Sequence, residues 1–465
     1  MRIAYVLLLS AAAAFPASAA ELEAGVAVID ITPPVGYRMS GYFHERQATG
    51  THDSLHAKAI VLKQGDVSAA LVFCDIIGIA PEVSARAREQ ACAKTGIPAA
   101  HILIAATHSH TGPLYFGSLR EHWHALAMER HGEDPCERAD YPAALTTKLV
   151  AAVASAHATV RPVALGAMTV EQHRLSFNRR FHMKGGGPVR FNPGKMNPNI
   201  LRPAGPIDPD VGFVLACEPV SERPLFSLSV FALHLDTVGG MEYAADYPHY
   251  LEGVLKEALG KDFVSVFGVG TCGDINHVDV SHKRPQKGHV EAKRIGATLG
   301  GTIVGALHTL RALEQPALAV RSVKVDVPLR EYTPEDLVRA RAVLTKADKE
   351  SAPFLDRVTA SRNLHIASRK TAHLPMEVQV FRLNGDVAVV GLPGEVLVEL
   401  GLAIKAASPF AHTLVVELSN DTPAYVPTRK AFAEGSYETV NCIIKSGGGE
   451  MLVDAALRLL EELGA

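Results

Sequence analysis

The chain has 465 residues, 48% of them hydrophobic and 20% charged, and a formal net charge of −3. This is the composition of a folded protein with a large core, and it excludes a chain disordered by composition. The small net charge argues against nucleic acid as a partner, and with no Gly/Ser-rich linker or charge block along it the chain reads as one large domain.

At the N-terminus Arg2 precedes an apolar stretch over 3–15 and the small residues Ala17-Ser18-Ala19-Ala20. This is the form of a secretory signal peptide. The expectation is therefore a leader over 1–20, a mature domain over 21–465, and an exported protein, periplasmic or secreted, in a bacterium. No later apolar run is long enough for a membrane span, so no transmembrane segment is expected. Cys74, Cys92, Cys136, Cys217, Cys272 and Cys442 are far apart and lack a Cys-x-x-Cys clip, which speaks against a cysteine-bound zinc. An oxidising compartment would permit disulfides among them; burial as free thiols is the plain alternative.

Residues 25–31 read as a strand stopped by Pro33-Pro34. Strands over 57–63 and 68–74 flank the turn Gln64-Gly65-Asp66. The second ends at Asp75, and a helix near 82–94, stopped by Gly96, leads to the continuous apolar run 102–106. That run reads as a buried strand ending in Thr107-His108-Ser109-His110-Thr111-Gly112-Pro113. A helix covers 141–157, and the Gly-, Pro-, Asn- and Arg-rich segment 178–199 reads as a long loop, of the kind that often carries function. A second strand, helix, strand series follows: 226–233 ending in His234, 248–259, and 264–269 leading into Gly270-Thr271-Cys272-Gly273-Asp274-Ile275-Asn276. Helices over 288–313 and 334–348 come next. A third series runs from 387–392, ending in Pro393-Gly394-Glu395, through 396–407 to 413–418 and the loop 419–425, and a helix over 449–463 closes the chain. The predicted class is α/β, with mixed or parallel sheets flanked by helices and an internal strand-helix-strand pseudo-repeat. Parallel strands joined in this way have their C-terminal ends on one edge of a sheet, where ligands bind.

Strand residues two apart share a face, so His108 and His110 would project together from the end of their strand. Such a pair is either two hydrogen-bonded loop histidines or part of a metal or proton-transfer site. His234, Glu395, Asp75 and Asp274 supply further metal-competent groups at strand ends, and a catalytic zinc without cysteines needs His and carboxylate ligands with one position left open. Each has an ordinary structural role as well: His234 as a satisfied histidine, Glu395 at the positive end of a helix, Tyr425 as a half-buried tyrosine. There is no Gly-x-Ser-x-Gly elbow and no Walker loop, and the glycines at 185–187 lack a strand-to-helix setting for dinucleotide binding. Two glycosidase carboxylates could be found in any chain of this size.

The stretch Thr107 to Pro113 resembles the Thr-His-Thr-His-Ser-Gly-Pro signature of the neutral, non-lysosomal ceramidases. Asp30-Ile31-Thr32-Pro33-Pro34, Phe231-Ala232-Leu233-His234, Leu392-Pro393-Gly394-Glu395, and Ala424-Tyr425-Val426-Pro427-Thr428 with Tyr437-Glu438 resemble further motifs of that family in the same order. The resemblance implies a catalytic zinc held by His108, His234, Glu395 and Tyr425. It implies His110 as the acid/base partner, Arg179 of Asn178-Arg179 as an oxyanion donor, and Tyr437 as a further active-site tyrosine. The family's Gly-Asp-Val-Ser-Pro-Asn is here Gly273-Asp274-Ile275-Asn276-His277-Val278, so Asn276 stands where a serine is proposed to act, and serine-nucleophile chemistry is excluded at this position. The family's C-terminal immunoglobulin-like domain has no counterpart in 21–465.

The function these observations imply is zinc-dependent cleavage of an N-acyl amide, ceramide-like, through metal-activated water. The implied partners are a small amphiphilic N-acyl substrate and transient contact with a membrane surface. Two other readings stay open: a zinc esterase or deacylase acting on a non-sphingolipid, and a non-catalytic exported metal-binding module.

Overall fold

Three sheets built from one repeated order of elements make up the molecule, and the computed structural model describes residues 21–347 and 352–464. The expected leader, 1–20, lies outside the described residues. The first unit comprises strands β1 (Glu23–Asp30), β2 (His56–Gln64) and β3 (Val67–Cys74), helix α1 (Pro81–Thr95), strand β4 (Ile102–Ala106) and helix α2 (Tyr141–Ala158). The second has β5 (Ala164–Glu171), β6 (Asp210–Cys217), β7 (Pro224–Phe231), α3 (Tyr247–Leu259), β8 (Val264–Val269) and α4 (His289–Ala306). The third has β9 (Ala319–Pro328), β10 (His373–Arg382), β11 (Val387–Gly391), α5 (Val398–Ala407), β12 (His412–Val416) and α6 (Gly448–Gly464).

Within each unit the first three strands pair antiparallel and the third pairs parallel with the fourth, giving the orders β4-β3-β2-β1, β8-β7-β6-β5 and β12-β11-β10-β9. The pseudo-repeat is therefore a repeat of topology. The strand ends do not line one edge of a single sheet, as expected; they lie on three sheets whose ends converge. Each parallel pair sits at the edge of its own sheet, and the sheets meet through side chains, since their inward faces are too apolar to be left in water.

The local reasons are visible in the first unit. Pro81 opens α1 without losing a helical hydrogen bond, Val83, Ala87 and Ala91 make its buried face, and Gly96 at φ 78° closes it. All five residues of β4 are buried, as its unbroken apolar run requires. One central core takes Phe73 and Leu103 from the first sheet, Val230 and Val266 from the second, and Phe381, Val389 and Val416 from the third. A second core lies between the first two sheets and helices α1 to α4, and a third joins the last sheet to α5 and α6.

Between the first and second strands of each unit the chain makes a long excursion, over 31–55, 172–209 and 329–372. The middle one contains the segment read as a loop, which instead holds a small sheet of Arg180–Met183, Arg190–Phe191 and Ile200–Pro203. Gly185, Gly186 and Gly187 all have positive φ and turn the chain between its strands, so the glycines that suggest a loop make a hairpin. All six cysteines are free thiols, four of them buried. Among the described residues no helix is long and apolar enough to cross a membrane.

All three sheets meet at Gly268 of β8, where a Cβ would lie 2.7 Å from Phe73 Cε1 and 3.3 Å from Val416 Cγ2. Overpacking of this kind costs about 1–3 kcal/mol. Gly268→Ala should lower the urea unfolding midpoint accordingly, and an unchanged midpoint would show that the sheets do not meet there.

Candidate metal centre

The strand-end residues of all three units meet at one point. β4 ends at Ala106, and the backbone then turns so that Thr107 N–H binds Cys74 O and His108 N–H binds Ile76 O. His108 adopts φ 76°, a strained value for a non-glycine residue and of the sort that persists where surrounding structure enforces it. The two signature histidines do converge, with 3.3 Å between their Nε2 atoms. Strand alternation is not the cause, because both lie beyond the strand; the left-handed turn at His108 brings them together.

His234 follows β7 by three residues, and Glu395 follows β11 after Gly394. At φ 81°, with a Cβ position 2.7 Å from Ala424 O, that position admits only glycine without strain. Glu395 pairs with Tyr425 in a short parallel ladder, which carries the last loop into the site.

Hydrogen bonding to the backbone sets the tautomers. His108 Nδ1 lies 2.7 Å from Ile77 O and His234 Nδ1 2.9 Å from Cys272 O, so both Nδ1 atoms carry the proton and donate. The Nε2 lone pairs therefore face each other at 3.0 Å, with Glu395 Oε2 3.4 Å from each. Glu395 Oε2 is buried and has no hydrogen-bond donor. Burial would raise the Glu395 carboxyl, but His108 and His234 outweigh it and hold it well below the usual range, so it is ionised. Burial, reinforced by Arg179 and His108, pushes His234 down to about 3 and leaves it neutral. Two imidazoles whose Nδ1 atoms are held by backbone carbonyls and a carboxylate aimed at one point form a donor set for a divalent cation. A tetrahedron with bonds of about 2.0–2.1 Å has edges of roughly 3.3–3.4 Å, and the separations found here are of that size. The residues thus fit a metal.

Arg179 forms the opposite wall. Its Nε donates to Glu438 at 3.0 Å, Nη2 to Gly273 O at 2.6 Å and Tyr425 Oη at 3.0 Å, and Nη1 to His234 Nε2 at 3.3 Å. Burial disfavours its charge, yet Tyr425 and Glu438 hold its pKa well above the ordinary value. Asp274 is the anchor behind it, accepting from Asn178 Nδ2 at 2.8 Å and Val398 N–H at 2.9 Å, while its carbonyl receives Arg179 N–H. Asp75 is likewise a structural tie, bound to His56 N–H at 2.9 Å. Tyr437 stacks edge-on to Tyr425 with ring centroids 5.4 Å apart. Asn276 is buried beside the site's outer loop, donating to Asn192 Oδ1 at 3.0 Å and accepting from Val278 N–H.

Two groups of the site are missing from the residues that the sequence pattern singles out. Asp236 Oδ1 lies 3.6 Å from His110 Nδ1 and accepts from Tyr42 Oη at 2.9 Å. Burial pushes His110 down to about 4, against the pull of Asp236, so the ring is neutral at pH 7. Glu438, fully buried, binds both Arg179 and Arg180. The only signal for Asp236 is its place two residues after His234. Glu438 has only its place beside Tyr437, in a motif valued for its tyrosine.

No family model matches the chain, and no curated protein matches it in sequence. Among solved structures it superimposes on neutral ceramidase from Pseudomonas aeruginosa with a TM-score of 0.71 and 18% identity, over 96% of this chain and 75% of that one. This chain has the neutral ceramidase fold. A second structure, a ceramidase complexed with C2, gives the same TM-score and coverage at 16% identity. At the centre itself ring nitrogens of His108, His110 and His234 lie within 4.8 Å of one another, so His110 too is within reach of an ion held there; two further groups, His52-Asp53-His289 and His124-Asp134-Glu137, could also hold an ion. In the latter, Arg38 and Arg120 already occupy the carboxylates.

If the convergence of His108, His234 and Glu395 is a zinc site, His108→Ala and His234→Ala should each weaken zinc binding by more than about 100-fold in a chelator competition, beyond the loss typical of outer partners. Asp236→Asn should keep the metal, because Asp236 has no hydrogen bond or ion pair with His108, His234 or Glu395. Equal zinc affinity in wild type and His234→Ala would place the metal elsewhere.

Proposed function

We propose that the chain is an exported zinc hydrolase that cleaves an N-acyl amide, ceramide-like substrates among them. The observation that carries this reading is the pair of imidazole lone pairs and the ionised Glu395 aimed at one buried point. His108, His234 and Glu395 would hold the metal, with Tyr425 adjoining. Zinc would supply Lewis acidity and lower the pKa of water toward about 7. The sequence over 1–20 supports export, and the extent of the fold supports one catalytic domain over 21–465.

The chain's own groups supply the rest. Arg179 is fixed by Glu438, Gly273 O and Tyr425 Oη, which leaves Nη1, with one hydrogen beyond that shared with His234, as a pre-aimed donor for the oxygen of a tetrahedral intermediate. His110 Nε2, neutral at pH 7, can take a proton from the attacking water and return it to the leaving amine, while Asp236 beside Nδ1 steadies the ring once charged. Tyr437 links the site to an aromatic wall: its ring lies 5.5 Å from Phe354, and Phe354 lies 5.5 Å from Phe43. Phe354 is 40% exposed, so the wall reaches the surface and supports an amphiphilic substrate that approaches from a membrane surface. An ester substrate is the second reading, favoured by Asn276 at the position where the related motif has serine.

Zinc-loaded wild type should hydrolyse a fluorescent N-acyl amide from a panel that includes ceramide and matched O-acyl esters. His110→Ala should lose about 10²–10⁴-fold in kcat with its zinc retained. Hydrolysis of esters alone would select the second reading, and no hydrolysis of either class would remove the enzymatic one.

A further inference from the structure

A cavity of about 710 Å³ borders the candidate centre at His110. Its wall includes Tyr42, Arg46, Asp236, Met241 and Lys287, and Arg46 Nη2 donates to His110 O at 2.7 Å. His44 and Glu45 also line a neighbouring pocket of about 300 Å³, on whose wall Phe43, Trp123 and Arg357 lie. The first and third excursions and the chain after β7 build this cleft together.

Its charges do not balance. Of the two carboxylates on the wall, Glu45 accepts from Arg38 Nε at 2.6 Å, while Asp236 accepts from the neutral Tyr42 hydroxyl at 2.9 Å and keeps its charge, one anion against the cations Arg46, Arg357 and Lys287. The cations have no carboxylate partner. Arg46, 7% exposed, donates to the carbonyls of Ser40, His110 and Gly240. Among the described residues neither the Arg357 nor the Lys287 side chain has a hydrogen-bond acceptor or an ion-pair partner. Arg46 Nε, Arg357 Nε and Trp123 Nε1 are buried donors without acceptors. His44 lies between the arginines, and its pKa is lowered by burial and then by Arg46 and Arg357. Arg46 is buried and Arg357 half-buried, so their unsatisfied donors are costly, Lys287 adds an exposed cation at the rim, and a low-dielectric cleft focuses their field on whatever enters it.

We infer that this cleft selects substrates whose head group carries an anionic oxygen acid, carboxylate or phosphate, with Arg46, Arg357 and Lys287 as the specificity-determining residues. The acyl chain runs along the aromatic wall of Phe43 and Phe354, and the anionic group lies in the cationic trench beside it. The inference deepens the amidase reading and rests on it only for the bond that is cut.

The test compares N-dodecanoylglycine, N-dodecanoyl-O-phosphoethanolamine and the neutral N-dodecanoylethanolamine, by calorimetric binding to the zinc-loaded protein and by turnover. At least one anion should bind tenfold or more tighter than the ethanolamide, and the better of the two identifies the oxygen acid. In kcat/KM the same preference should appear through KM. Arg357→Ala and Lys287→Ala should each cut the anionic-to-neutral binding ratio at least fivefold, and 0.5 M NaCl should also lower it. Equal binding of all three ligands, or a ratio unmoved in both variants, would overturn the proposal. Charge-selective binding without hydrolysis would sink the amidase reading and leave this one; hydrolysis without charge selectivity would do the reverse.

Discussion

Two hydrogen bonds to backbone carbonyls govern the candidate site. Because Ile77 O and Cys272 O take the Nδ1 protons of His108 and His234, the Nε2 atoms present lone pairs to each other and to an ionised carboxylate. Three acceptors facing one another inside a protein repel, and a bound cation relieves that repulsion. Arg179 Nη1 serves His234 in part, at 3.3 Å, but leaves Glu395 Oε2 without a donor. The facing of these groups follows from the backbone route of the two loops, since the carbonyls that fix the tautomers belong to the chain after β3 and after β8.

The repeated topology explains how that convergence arises. Each unit ends a parallel strand pair at the same side of the molecule, and the three inward faces share one core that includes Phe73, Val266 and Val416. Glu395 N–H is held by Ala424 O, and Glu417, buried between the second and third units, accepts from Cys272 N–H at 3.1 Å and Val396 N–H at 2.7 Å. Loops from different sheets are thus tied to one another just beneath the metal-competent side chains. The excursions over 31–55, 172–209 and 329–372 stand around the same end, so the fold supplies the donor set from its strand ends and the cleft walls from its insertions. A core held by contacts among three sheets can keep its strand ends in place while the insertions carry residues as different as Arg179, Arg46 and Phe354.

Much of this architecture is legible in the amino-acid sequence. The continuous apolar run 102–106 and the mostly apolar run 264–269 mark parallel strands to the residue, and Gly96 marks the end of α1. Among the antiparallel strands β5, with Gly166, Ala167 and Met168 at its centre, has little β-branched character, whereas β6 carries an apolar run over 211–216 and β9 and β10 the period-2 alternation of half-buried strands. The three-sheet arrangement is not readable from strand runs, because a run does not say which neighbour it pairs with. At the site, the ordered motifs name His108, His234, Glu395 and Tyr425, and the structure brings all four together. Strand alternation accounts for His108 and His110 by the wrong mechanism, since a positive φ at a histidine leaves no mark in sequence. Asp236 and Glu438 act through tertiary partners more than 100 residues away in chain order, His110 and Arg179 respectively, and a single carboxylate carries no spacing signal.

The central claim is a metal bound by imidazole nitrogen and carboxylate oxygen at the meeting point of the three units. Cys272 Sγ lies 3.3 Å from His234 Nδ1 and is the nearest competing ligand type. Zinc K-edge absorption on the zinc-loaded protein tests the claim most directly. The account predicts only nitrogen and oxygen scatterers at about 2.0–2.1 Å, with imidazole multiple-scattering features that weaken in His234→Ala. A sulfur scatterer at about 2.3 Å, or a spectrum unchanged by His234→Ala, would contradict it.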